Sequence, residues 1–105
     1  MAVAMRYLTL SADYGALALR DDEAGPLNLA DVDVPGDLRR DLVEWNSRYQ
    51  PIVPMEMDAR QSTEVAALID ELDQLGLALA GRLADALGGG AKVKYYSEGR
   101  LRHLP

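Results

Sequence analysis

The chain has 105 residues and a mass of 11.5 kDa, which is enough for one domain with one modest core and too little for two. Its 49% hydrophobic and 27% charged residues are typical of a globular protein and exclude a disordered or membrane-embedded chain. The lack of cysteine excludes disulfides, thiol nucleophiles and zinc knuckles. Because the N-terminus also lacks the features of a signal peptide, we expect a cytoplasmic protein.

The charge of the chain is strongly negative and unevenly distributed. Seventeen acidic residues against eleven basic ones give a net charge of −6. Residues 13–44 and 56–85 carry most of the acids, whereas residues 92–105 are basic. A negative body repels nucleic acids and anionic membranes, so we predict neither as a direct partner and favour a basic protein instead.

The N-terminal third predicts one strand and a second, shorter one. Residues 5–10 are rich in strand formers, and residues 11–15 favour a turn. Leu17 and Leu19 alternate with other residues and predict a short strand that ends at the acidic turn 21–26. Residues 27–34 predict an irregular or extended connection.

Two helices and a last strand follow. An amphipathic helix begins after Pro35, with an apolar face made by Leu38, Leu42, Trp45 and Tyr49. The longest periodic segment predicts a helix from about Thr63 to Leu87, capped near Ser62 and stopped by the glycines at 88–90. Residues 91–96 predict a strand, and residues 100–105 a tail that continues extended or frays.

This order predicts a single α+β domain. A small two- or three-stranded sheet from both chain ends would pack against two helices, of which the second is long. Gly76 and Gly81 are positions where the long helix could bend or let another backbone approach.

The sequence offers little for catalysis. The single histidine, His103, lies in the basic tail, and the acid pairs Asp37 with Asp41 and Asp70 with Asp73 are typical of solvated helix faces. The acids between Asp21 and Asp33 lack the spacing of a calcium-binding loop. We therefore predict no enzyme, no cofactor and no metal.

Several side chains predict a protein contact instead. Five tyrosines and Trp45 are too many large aromatic side chains for so small a core, and exposed tyrosine beside carboxylates is typical of an interface. Tyr14, in the turn after the first strand, is the favoured anchor. The predicted contact set is Asp13, Tyr14, Asp21, Asp22, Glu23, Asp31 and Asp33.

A resemblance spans most of the chain. Its residues are Ser11-Ala12-Asp13-Tyr14-Gly15, Leu38, Leu42, Trp45-Asn46, Arg48-Tyr49, Gly76, Leu79-Ala80, Leu83 and Val93-Lys94-Tyr95-Tyr96. Together they resemble a family of short uncharacterised bacterial proteins, some of which are regarded as immunity-like, toxin-neutralising proteins. The resemblance implies the element order above and a toxin as partner.

Three classes of function remain open at this point. The first is an immunity or antitoxin-like module whose carboxylates mask a basic partner surface such as a toxin active site. The second is a self-associating structural or accessory protein, such as a homodimer, whose long helix docks on a second copy through Gly76, Leu79, Ala80 and Leu83. The third is a small enzyme or ligand-binding protein with a pocket between helices and sheet.

Overall fold

A computed structural model describes residues 6–15, 18–87 and 91–104 of the chain. The strands are β1 (Tyr7–Leu10), β2 (Leu19–Asp21), β3 (Gly25–Leu27), β4 (Lys92–Ser97) and β5 (Arg102–Leu104). The helices are α1 (Gly36–Tyr49), α2 (Met57–Arg60) and α3 (Thr63–Leu87), with a short 3-10 helix at Leu29–Asp31. The predictions for residues 1–5, for Leu17, for the glycines at 88–90 and for Pro105 lie outside the described residues.

The strands form one mixed sheet in the order β3-β2-β1-β4-β5. The two chain ends meet at its centre, where β1 runs parallel to β4 and Leu10 lies opposite Tyr95. The outer pairs are antiparallel. The α+β class therefore stands, but the prediction of a two- or three-stranded sheet is wrong, because the described residues alone contain five strands.

The two missed strands lie at the edges of the sheet. β3 contains Pro26, which cannot donate to a ladder and is tolerated at an edge, and Gly25 before it has a φ of +95°, a left-handed value that favours glycine. β5 has only three residues and pairs Leu104 with Tyr95. Such short segments carry too little alternation to be distinguished from a turn or a frayed tail.

The two long helices agree with their predicted positions, whereas the short helix α2 was not predicted. α1 buries Leu38, Leu42, Trp45 and Tyr49, as its spacing predicts. α3 has the predicted bounds, and the Ser62 hydroxyl accepts a hydrogen bond from the Val65 amide at its start. Both helices pack together, and α3 packs against β4. In the described part of the chain, no helix has the length and apolarity that a membrane crossing requires.

In the described part of the chain, the helices cover one face of the sheet and leave the other, here called the open face, uncovered. The side chains of Leu8, Leu10 and Leu19 lie on the face of the sheet that packs against the helices, and each is fully buried. The residues between them, such as Thr9, project from the opposite face. The core therefore lies between the sheet and the helix pair, and candidate contact residues lie around its rim.

Candidate functional site

Part of the predicted contact set surrounds Arg6 at one end of the sheet. Asp31 and Asp33 line a cavity together with Arg6. Apolar side chains from the first three strands, such as Leu27, also line this cavity. The Arg6 guanidinium lies 3.8 Å from the Asp21 carboxylate. Asp31 and Asp33 are exposed and, within residues 6–15, 18–87 and 91–104, make no ion pair. These two carboxylates are therefore available to a partner.

Asp21 mainly builds the turn between β2 and β3. Its Oδ1 accepts hydrogen bonds from the backbone amides of Ala24 and Glu23, at 3.1 and 2.9 Å. These bonds favour the ionised form and hold the pKa of Asp21 below its ordinary value. Glu23 is exposed at the tip of the same turn.

A second part of the set lies on the open face of the sheet. Asp13 and Asp22 line a groove there that also contains basic and aromatic side chains, among them Arg20, Tyr96 and His103. Lys94 Nζ lies 3.0 Å from one oxygen of Asp22, and Thr9 donates to the other at 2.9 Å. The Lys94 and Thr9 bonds lower the pKa of Asp22, whose charge is already compensated within the chain.

Tyr14 projects from a loop that α1 holds in place. The buried Asn46 side chain accepts from the Asp13 amide at 3.1 Å and donates to the Gly15 carbonyl at 2.7 Å. Gln50 Nε2 donates to the Asp13 carbonyl at 2.7 Å. Tyr14 itself is 61% exposed, so a fixed loop presents a large aromatic side chain to solvent.

The residues predicted to mediate self-association are packed inside the chain. Leu79, Ala80 and Leu83 are each 5% exposed or less, and Gly76 is buried beneath the Tyr95 ring. They form the contact of α3 with the core of its own chain. Self-association through these residues stays a prediction.

A buried polar cluster, missed by the sequence analysis, joins α1, α3 and β4. Asp73 is only 3% exposed, so its prediction as part of a solvated helix face is wrong. Its Oδ1 accepts from the hydroxyls of Tyr95 and Tyr49 at 2.7 and 2.9 Å, and its Oδ2 accepts from Ser97 at 2.7 Å. Arg100 Nε lies 3.5 Å from the same carboxylate. We name Asp73, Tyr49, Tyr95 and Ser97 the Asp73 cluster.

The Asp73 cluster is structural in character. Burial, with the neighbouring Asp73 carboxylate, raises the pKa of Tyr49 to about 12 and also raises that of Tyr95. The Tyr49 hydroxyl in turn accepts from the Gly99 amide at 2.9 Å. All these groups are satisfied by one another, so the cluster fixes the packing of helices on sheet. A sequence signal existed: Asp73 falls on the same helical face as Ile69, Gly76 and Ala80.

A further groove runs between α1 and α3. Its walls are residues at helical spacing, Asp41, Glu44, Trp45 and Arg48 from α1 and Leu75, Ala78, Leu79 and Arg82 from α3. Arg82 donates to Asp41 at 2.8 Å across one end, and this bond lowers the pKa of Asp41. Arg48 donates to Glu71 at 3.1 Å across the other end. We call this surface the α1–α3 groove.

The comparison with known families found a matching family model. The family model described as Serratia CdiI immunity protein-like matches residues 6–98. The chain belongs to this family. The match runs from just before β1 to just after β4, and it confirms the predicted resemblance to immunity-like bacterial proteins. No curated protein matched the chain.

Proposed function

We propose that this member of the CdiI immunity protein-like family binds a cognate toxin and neutralises it by covering a basic surface, such as the toxin active site. The observation that carries the proposal is the family match over residues 6–98. A protein that only binds needs no catalytic groups of its own. It needs a rigid scaffold and a complementary surface.

Charge supports a basic partner. With a net charge of −6, the chain attracts a cationic surface and speeds the encounter with it. Carboxylates can occupy the positions in a basic cleft that substrate phosphates would otherwise take. Exposed tyrosines supply the large apolar contacts that such an interface also requires.

The proposed contact set is the acidic set with Tyr14, and its members contribute unequally. Asp21 and Asp22 are engaged with Arg6 and Lys94, so a partner would have to displace those bonds to use them. The remaining acids, Asp13, Glu23, Asp31 and Asp33, are exposed and free of ion pairs within the part of the chain that the structure describes. We therefore assign the larger electrostatic contribution to these four.

The test requires a toxin-domain protein encoded next to the gene for this chain, which a survey of the gene neighbourhood would identify and which would then be purified. The double variant Asp31→Asn with Asp33→Asn removes two negative charges while keeping side-chain size. We expect its dissociation constant for the toxin, measured by isothermal titration calorimetry, to rise about tenfold or more, since each interfacial charge is worth about 1 kcal/mol or more when partly desolvated.

The matched control removes two exposed acids elsewhere on the chain, Asp58→Asn with Glu64→Gln. We expect this pair to change the affinity by less than about threefold. Equal losses in both doubles would show that only net charge matters. A wild-type chain that forms no complex with the toxin would refute the proposed function itself.

A further inference from the structure

Two ion pairs cross the α1–α3 groove and join its two antiparallel helices. Asp41 pairs with Arg82 at one end, and Arg48 pairs with Glu71 at the other. Asp41 and Arg48 lie two helical turns apart on α1, and Glu71 and Arg82 lie three turns apart on α3. The first of these ion pairs is shared, because Arg82 also lies 3.8 Å from Asp37 and Arg40 lies 3.8 Å from Asp41.

Between these two ion pairs lies a carboxylate that has no ion-pair partner among the described residues. Glu44 lies on α1 between Asp41 and Arg48, is exposed, and makes no ion pair with any residue that the structure describes. The α3 residues that line the groove at this level are Leu75 and Ala78. At the level of Glu44, the groove therefore has a carboxylate on the α1 side and apolar side chains on the α3 side.

The floor of the groove suits the stem of a long side chain. Trp45 and Leu79 are almost fully buried, while Leu75 is 41% exposed. The groove has a volume of about 280 Å³, which accommodates one large side chain. Lysine and arginine bury their methylene stems on apolar surface while the charged head reaches an acid.

We propose that the toxin inserts a lysine or arginine side chain into the α1–α3 groove, with its stem on Leu75 and Ala78 and its cation at Glu44. This inference rests on the proposed function and names a contact of the same complex. Charge complementarity selects a cation as occupant, because the other charged residues of the groove lining, Asp41, Arg48 and Arg82, are engaged in ion pairs, which leaves the Glu44 carboxylate as the uncompensated charge. The toxin cation then serves as the ion-pair partner of Glu44.

The decisive variant is Ala78→Lys, which supplies the missing cation from the chain itself. Ala78 and Glu44 line the same groove, so the new ammonium is expected to pair with Glu44 and to fill the place of the toxin side chain. We expect the melting temperature to stay within about 3 °C of wild type, because Ala78 is exposed and lysine is a good helix former. We expect the dissociation constant for the toxin to rise about tenfold or more.

The matched control is Ala67→Lys, at another exposed alanine of α3 outside the groove. It adds the same charge and should leave toxin binding within about threefold of wild type. A second variant, Glu44→Gln, removes the acid without adding bulk and should weaken binding about fivefold to tenfold. Its control is Glu64→Gln.

The outcomes separate this inference from the proposed function. Toxin binding by Ala78→Lys and Glu44→Gln at wild-type affinity would overturn the groove assignment and leave the immunity function standing. Equal weakening by Ala67→Lys and Ala78→Lys would also overturn it, because added charge alone would then explain the loss. A wild-type chain without any complex would refute both.

Discussion

At the scale of single residues, the Asp73 cluster shows how a buried charge is made tolerable. An unpaired carboxylate in the core would cost several kcal/mol, but the hydroxyls of Tyr49, Tyr95 and Ser97 all donate to Asp73. The tyrosine protons are therefore part of the packing. Deprotonation of Tyr49 and Tyr95 at high pH should therefore weaken the packing of the two helices against β4.

We predict a loss of stability at alkaline pH. The pKa of Tyr49 is about 12 in the folded chain, against the ordinary value of 10.0 expected in the unfolded chain. Between these two pH values the native state therefore keeps a proton that the unfolded state releases. The stability is thus fully present below about pH 10 and is lost as the pH rises towards 12. For Tyr49 alone the loss is about 2–3 kcal/mol, which urea unfolding at stepped pH would measure.

The comparison for this pH effect is the slope in Tyr49→Phe. This variant starts from a lower stability, but it lacks one of the protons concerned, so its free energy of unfolding should fall less steeply between pH 10 and 12. Tyr95→Phe should behave alike, because burial and the Asp73 bond raise the pKa of Tyr95 as well. Equal slopes in wild type and both variants would contradict the linkage.

At the scale of elements, the closest approach is that of α3 to β4. A methyl group added at Gly76 would lie within 2.7 Å of the Tyr95 hydroxyl oxygen and even closer to the ring. The ring cannot easily move, since Asp73 and the core hold it. Gly76→Ala should therefore destabilise the fold by about 1–3 kcal/mol, measured by urea unfolding at neutral pH.

Gly81 provides the control on the same helix. It is exposed, and a methyl group there would meet nothing within 4 Å. Gly81→Ala should stabilise the chain by about 0.4–1 kcal/mol, because alanine lowers the entropy of the unfolded chain. If both substitutions stabilised the protein, the packing of α3 on Tyr95 would be looser than described.

The elements differ in how far the sequence could predict them. α1 and α3 were predictable because repeated apolar positions over 14 and 25 residues outweigh any local ambiguity. β3 and β5 have three residues each and pair with the strand just before them through the turns 22–24 and 98–101, so neither has enough alternating residues to be distinguished from a turn or a tail. The number of strands was therefore wrong although the class was right.

The exposure of most predicted contact residues was predictable from the sequence, but their arrangement was not. The acids and Tyr14 could be named, since exposure follows from polarity and turn chemistry. Their division between the Arg6 cavity and the open face depends on strand order, as does the capture of Asp22 by Lys94. The α1–α3 groove needed the pairing of two helices, which the sequence of each helix does not specify.

At the scale of the whole molecule, negative charge is in excess and is unevenly distributed along the chain. Residues 13–44 and 56–85 carry most of the acids, whereas residues 92–105, which contain both lysines, are basic. If the toxin surface is basic, as proposed, a net charge of −6 would attract and orient it before contact. The association rate should therefore carry more of the salt dependence than the dissociation rate.

We predict that the association rate constant with the toxin falls about tenfold or more between roughly 20 mM and 500 mM NaCl, as the Debye length shrinks. Stopped-flow mixing measures it, and light scattering at both salt concentrations gives the mass of the complex. The double variant Asp31→Asn with Asp33→Asn should show a shallower dependence, because part of the steering field is gone. A salt-insensitive association rate would show that the acidic surface does not guide the encounter. A salt-insensitive homodimer that binds no toxin would instead favour self-association as the role of this chain.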